Sequence, residues 1–178
     1  MRIQKTGFRD LLEVHPKILA DNRGYFVELF REDKLAEITN LSFVQDNYSF
    51  SEKGVLRGFH FQKPPYEQAK LVVVLDGKVL DIVVDMRRDS PTFGRHYKCI
   101  LDGAKMNMLF VPEGFAHGFL ALADSHFFYK CTALYNPEAD AGFVWNDPKL
   151  GIDWPGKDFR LSDKDLSLPQ FETALNGL

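Results

Sequence analysis

His60 and Arg57 stand three residues apart in the stretch Gly54-Val55-Leu56-Arg57-Gly58-Phe59-His60-Phe61-Gln62. An imidazole titrates near neutrality and can move a proton at physiological pH. The Arg57 guanidinium is permanently charged and shaped to grip a phosphate or carboxylate. A base beside an anion clamp points to proton transfer on an anionic small molecule. The competing reading is structural, because a lone histidine in a strand is often a satisfied core residue. Strict alternation also sends Arg57 and His60 to opposite faces of a regular strand. Both can meet one ligand only if the strand is bulged, and Gly58 is where a bulge is expected.

The elements that must position these groups are β-strands. Short apolar runs, broken every several residues by Gly, Pro, Asp or Asn, give the pattern of a sandwich or barrel. Strands are expected at 25–31, 43–50, 55–62, 97–101, 106–111, 116–122 and 126–134. Runs 70–75 and 78–84 flank Asp76-Gly77, a favoured two-residue hairpin turn. That hairpin would set Val72 opposite Asp81 and make Lys70 and Asp81 diagonal neighbours. Their valine-lined face is then either solvated or a pocket wall. Helix is expected only as a short surface piece over Glu32–Thr39. Beyond Gly142 the chain is rich in turns and is expected to wrap the strands over about 145–178, with the last ten residues frayed.

The 178 residues, 45% hydrophobic and with 16 phenylalanines, suffice for one domain spanning 1–178 with a substantial core. A net charge of −3 gives no reason to expect a nucleic-acid partner. No apolar run approaches the roughly 20 residues of a membrane span, and the N-terminus lacks the apolar core of a signal peptide. Two cysteines, Cys99 and Cys131, form no disulfide lattice or closely spaced ligand pair, so a cytoplasmic protein is expected.

A β-barrel with Gly54-x5-His60 and later Pro112-Glu113-Gly114-Phe115-Ala116-His117 resembles the cupin superfamily, many of whose members bind metal through an H-x-H pair. Here Gln62 stands at the second histidine, and an amide oxygen is a poor replacement for imidazole with borderline metals. Only His60, His117 and Glu67 remain as donors, and no metal or other cofactor is expected.

The chain further resembles the dTDP-4-dehydrorhamnose 3,5-epimerase family, metal-free cupins of deoxysugar-nucleotide biosynthesis. The likeness runs from about Phe8 to Asp165. It is carried by Asp21-Asn22-Arg23-Gly24, Phe43-Val44-Gln45-Asp46-Asn47, Gly54 to His60, Asp89-Ser90-Pro91-Thr92-Phe93-Gly94, and Val111 to Phe119. Tyr129-Lys130, Trp145-Asn146-Asp147, Gly151-Ile152-Asp153-Trp154-Pro155 and Leu161-Ser162-Asp163-Lys164-Asp165 complete it. Shared order and spacing make the combination specific.

This resemblance implies a cupin jelly roll that epimerises C3 and C5 of dTDP-4-dehydro-6-deoxy-D-glucose, giving dTDP-4-dehydro-L-rhamnose. His60 matches the family's base and Asp165 the carboxylate that fixes its tautomer. Lys70 matches the cation that stabilises the enolate, with Asp81 orienting it, and Tyr129 the acid on the opposite face. Arg23, Glu28, Gln45, Asn47 and Arg57 match positions that contact the nucleotide or diphosphate. His117, Tyr135, Asp140 and Lys164 complete the expected substrate site; period two places Tyr135 on the same face as Tyr129. In relatives N-terminal strands cross between subunits, so a homodimer is implied. Taken alone, Tyr129 reads as a core aromatic, Asp165 as a solvated tail carboxylate and Arg23 as a turn arginine.

Three positions depart from the family pattern. Tyr48 replaces a histidine after Gln-Asp-Asn, Phe59 replaces leucine before the base, and a glutamate after the tyrosine strand is either Asp140 or shifted to Glu138. These leave room for a mono-epimerase acting at C3 or C5 only. A non-catalytic sugar-nucleotide-binding cupin is the rival from another class, and a metal-dependent oxygenase is disfavoured by Gln62.

Overall fold

Two antiparallel sheets face one another, and the residues described are 1–36 and 38–176 of the computed structural model. The first sheet has six strands, in the order β1 (Arg2–Lys5), β2 (Leu12–His15), β10 (Met108–Val111), β7 (Lys70–Asp76), β12 (Ser125–Cys131) and β5 (Gln45–Ser51). The second has five: β13 (Asp140–Gly142), β6 (Leu56–Gln62), β11 (Phe115–Ala121), β8 (Lys78–Asp85) and β9 (His96–Asp102). A separate hairpin joins β3 (Ile18–Asp21) to β4 (Gly24–Val27), and its residues are almost all exposed. Helices are single turns: α1 (Glu32–Leu35), α2 (Asp163–Leu166) and α3 (Phe171–Ala174). This is the expected all-β jelly roll of cupin type with short peripheral helices. No helix among the described residues is long and apolar enough to cross a membrane.

Alternation builds the interior. Val72, Val74, Val79, Val83, Phe119 and Phe127 point between the sheets into one buried cluster. The other parity is also covered. Leu71 and Val73 pack under Leu35, with Leu29, Ile38 and Phe43 beside them. Phe59, Ile82 and Val84 pack under Phe143, Leu150 and Phe171 from the segment after β13. Central strands buried on both sides therefore read as continuous valine–leucine runs. Each such side chain, fully buried, contributes about 1.5–3 kcal/mol.

The expected hairpin between residues 70–75 and 78–84 does not form. β7 is hydrogen-bonded to β10 and β12, while β8 is bonded to β11 and β9, so both edges of each strand are occupied. Asp76-Gly77 instead carries the chain from one sheet to the other. Gly77 has φ +88 and is packed so tightly that a Cβ would lie 2.1 Å from the Asp124 carbonyl oxygen. Lys70 and Asp81 still belong to one interior, but from opposite sheets and not along a ladder.

Element lengths differ in places. The strand expected over 25–31 is β4, ending at Val27, and the helix expected over Glu32–Thr39 is the shorter α1, with Glu37 outside the described residues. The expected fraying of the last ten residues is overturned through Asn176: Phe171, Ala174 and Leu175 are buried against the second sheet. Gly177 and Leu178 lie outside the described residues.

Candidate active site

The bulge expected in the His60 strand is present. In the β6–β11 ladder His117 pairs with His60 and Phe119 with Arg57, so three steps on β6 match two on β11. Gly58 carries the irregularity at φ +111, where a Cβ would lie 2.6 Å from Gly118 Cα. Glycine is the residue that accepts both the positive φ and the close approach. Phe59 turns outward to stack on Phe143, with ring centroids 5.1 Å apart. The shift breaks the strict alternation between Arg57 and His60, although of the two only His60 lines the hollow beside the strand.

This hollow, of about 320 Å³, is walled by β5, β6, β7, β12 and the loop after β12. Gln45, Asn47, His60, Lys70 and Tyr129 line it, with Tyr135, Asp140 and Lys164 at its rim. These eight belong to the residues picked out from the sequence. Phe61, Gln62 and Gln68 also line it and were not among them. A second, more apolar cavity of about 240 Å³ shares Phe61, Gln62, Gln68 and Lys70 with it.

His60 Nε2 lies 2.6 Å from Asp165 Oδ1, with the histidine side chain 33% exposed and the carboxylate 5%. Asp165 is thus no solvated tail residue. It is the third residue of α2, whose N-cap Ser162 accepts its backbone N–H at 3.1 Å. Burial works against ionisation of Asp165, yet the bond from His60 and the Gly58 N–H outweigh it and hold the carboxyl below its ordinary value. An ionised carboxylate only accepts, so His60 Nε2–H donates and Nδ1 keeps its lone pair.

Lys70 ends 5.9 Å from the Tyr129 ring centroid. Although Lys70 opens onto the hollow, burial dominates its ammonium and lowers its pKa; the nearby Cys131, Asp140 and Asp81 oppose this. Burial likewise raises the Tyr129 hydroxyl, Cys131 adds to the rise, and the Arg57 charge counteracts it. Arg57 sits beside this cluster, its guanidinium donating to Ser51 Oγ and the Phe50 carbonyl, each at 3.0 Å.

His117 does not line the hollow but lies below it, its Nε2 2.8 Å from Oδ2 of the fully buried Asp81. Asp81 Oδ1 has no hydrogen-bond partner. Tyr135 reaches the rim from a loop and not by strand parity, because β12 ends at Cys131. Its hydroxyl donates to Asp140 Oδ2 at 3.0 Å, and Asp140 also pairs with Lys164. Asp140, and not the exposed Glu138, is therefore the carboxylate at this rim.

Arg23 and Glu28 do not line the hollow. Arg23 is in the turn of the β3–β4 hairpin, paired with Asp21 at 2.6 Å and 85% exposed, and Glu28 pairs with Arg31. Among the described residues no group of three His, Cys, Asp or Glu side chains is placed to hold a metal ion.

The sequence profile of the dTDP-4-dehydrorhamnose 3,5-epimerase family matches residues 5–173. The dTDP-4-dehydrorhamnose 3,5-epimerase of Shigella flexneri is 42% identical over 177 residues, 98% of each chain. The structure of the Legionella pneumophila epimerase in complex with dTDP-4-keto-L-rhamnose superposes with a TM-score of 0.92 at 44% identity, covering 98% of this chain and 93% of that one. The 3′-monoepimerase ChmJ of Streptomyces bikiniensis, in complex with dTDP-quinovose, is more distant in sequence at 33% identity, with a TM-score of 0.91 over 97% and 89% of the two chains. Profile, identity and superposition extend over nearly the whole length, and the chain belongs to the dTDP-4-dehydrorhamnose 3,5-epimerase family.

Proposed function

We propose that the protein is an isomerase that inverts C3 and C5 of dTDP-4-dehydro-6-deoxy-D-glucose, yielding dTDP-4-dehydro-L-rhamnose. The observation that carries this reading is the His60–Asp165 pair on one wall of a hollow that also holds Lys70 and Tyr129. A 4-keto sugar has weakly acidic C–H bonds at C3 and C5, because the ketone takes up the charge as an enolate. Inversion needs a base on one face, a donor on the other, and a cation at the oxygen.

Each step then has a group to perform it. His60 Nδ1 removes the proton while Asp165 holds the ring through Nε2–H and stabilises the imidazolium that forms. The Lys70 ammonium, held in a desolvated setting, faces the enolate oxygen, where its charge is worth more than in water. Tyr129 O–H returns a proton to carbon from the opposite face. The C–H electron pair passes through the enolate and back, so no electrons are gained or lost.

Incubation with the keto sugar in D2O tests the reading. Deuterium at both C3 and C5 is the expected result; ligand binding without exchange would mark a binding module. The likeness to a 3′-monoepimerase supports a second reading, in which only one carbon exchanges. The displaced position of Arg23 and Glu28 supports a homodimer. The hairpin that carries Arg23 exposes Leu19, Tyr25 and Phe26, and edge strand β5 exposes Tyr48 and Phe50. A second copy would cover these faces and bring its Arg23 to the neighbouring hollow.

A further inference from the structure

Residues 132–139 form neither strand nor helix, yet glutamine side chains hold four consecutive residues of this loop by the backbone, the first being Ala133, whose carbonyl accepts from Gln68 Nε2 at 2.7 Å. The Leu134 carbonyl accepts from Gln62 Nε2 at 3.3 Å. The Tyr135 N–H donates to Gln45 Oε1 at 2.8 Å, and the Asn136 N–H donates to Gln62 Oε1 at 2.7 Å. Gln62 Nε2 donates a further bond, 2.6 Å long, to the Tyr66 carbonyl. One amide thereby joins the loops after β6 and β12. At 7% exposure its donors and acceptor are committed to backbone, which is the physical content of having glutamine at this point of the strand.

Tyr135 is the residue between these anchors, 55% exposed at the rim of the hollow. So little packing covers its ring that its position depends on the backbone beneath it and on the single bond to Asp140. We infer that Gln62 is a positioning residue, which holds residues 134 and 136 on either side of Tyr135, so that Tyr135 is already in place when the sugar nucleotide arrives. The inference rests on the function proposed above. It assigns Gln62 to ligand affinity and not to proton transfer, because His60 Nδ1, Lys70 and Tyr129 owe none of their contacts to its amide. A loop ordered in advance spares the ligand the entropy of ordering it.

Gln62→Met keeps length and volume while removing every bond. The expected result is a KM raised about tenfold with kcat altered within about twofold, as for lost uniform binding. In a Tyr135→Ala background the same change should move KM little, since its effect passes through that ring. A fall in kcat at constant KM, or an equal KM effect in both backgrounds, would overturn the inference. Should Gln62→Met fail to fold, hydrogen exchange in the unaltered protein decides: the Asn136 amide, which donates to Gln62 Oε1, must be protected although it lies outside any sheet, and free exchange there would refute the clamp. A wild-type protein that incorporates no deuterium into the keto sugar would overturn the functional reading instead, with amide protection still judging the clamp.

Discussion

His60 and His117 are Cα partners in the β6–β11 ladder, yet each imidazole is bonded to a different carboxylate, Asp165 at 2.6 Å and Asp81 at 2.8 Å. The first carboxylate arrives from α2, more than a hundred residues away in sequence, and the second from the adjacent strand β8. One histidine edges the hollow and the other is buried beneath it. Of the two imidazoles, only that of His60 lines the hollow.

Asp165→Asn should leave the fold intact and lower kcat by about 10²–10⁴, the usual worth of a positioned acid–base group. An amide can still bond Nε2 but no longer carries the charge that favours imidazolium. Steady-state kinetics with a thermal melt of the same sample checks this; an unchanged kcat would show that the pair is structural only.

Lys70 has its pKa lowered mainly by burial. Its charge is therefore lost, as pH rises, below the 10.5 of an ordinary lysine, and the alkaline limb of activity should fall there. Lys70→Arg, permanently charged, should lift that limb to higher pH, while Lys70→Met should cost about 10²–10³ in kcat. A kcat–pH profile identical in the arginine variant would remove Lys70 from the enolate step.

Tyr129→Phe should slow reprotonation more than deuterium wash-in at the first carbon, because His60, the proposed base, comes from the other sheet. NMR of substrate recovered before turnover separates the two. Equal loss of both would give this hydroxyl another task.

Acid stability should depend on Asp85, which is fully buried and accepts from Arg87, Ser90 and Thr92 at 2.6–2.9 Å. Burial opposes its ionisation, but these bonds prevail and bring its pKa from the ordinary 3.8 to about 2. A depressed folded pKa gives stability that is complete above pH 3.8 and is lost as pH falls toward 2. Asp165, also depressed, adds in the same direction. Asp85→Ala, which removes the buried partner of Arg87 and leaves it only the exposed Asp10 at 3.9 Å, should cost about 3–5 kcal/mol in denaturant unfolding at neutral pH. A loss under 1 kcal/mol would contradict the role given to this cluster.

Much of the site was legible where chemistry and local pattern agree. His60, Lys70 and Tyr129 sit in strands whose residues alternate, and opposite parity of Arg57 and His60 located the bulge at Gly58. Parity failed at Asp76-Gly77 because a two-residue turn does not encode which sheet the next strand joins. It failed again at Tyr135, where a shared face was expected from strand that ends at Cys131. Asp165 was placed by resemblance alone, although Ser162-x-x-Asp165 is a helix-start signature that announces α2. Gln62 was weighed only as a missing metal ligand. It shares the face of His60 two residues earlier, and that spacing was the available signal for its place in the cavity wall. Arg23 is the opposite case: its residue type suits a diphosphate, but nothing within one chain carries it to the hollow.

The most direct test of the central claim is deuterium incorporation at C3 and C5 of the keto sugar by His60→Ala, measured beside the affinity of the same variant for dTDP. The account predicts no incorporation at either carbon with dTDP binding preserved. Incorporation at the wild-type rate would contradict it, because some other group would then be removing the proton.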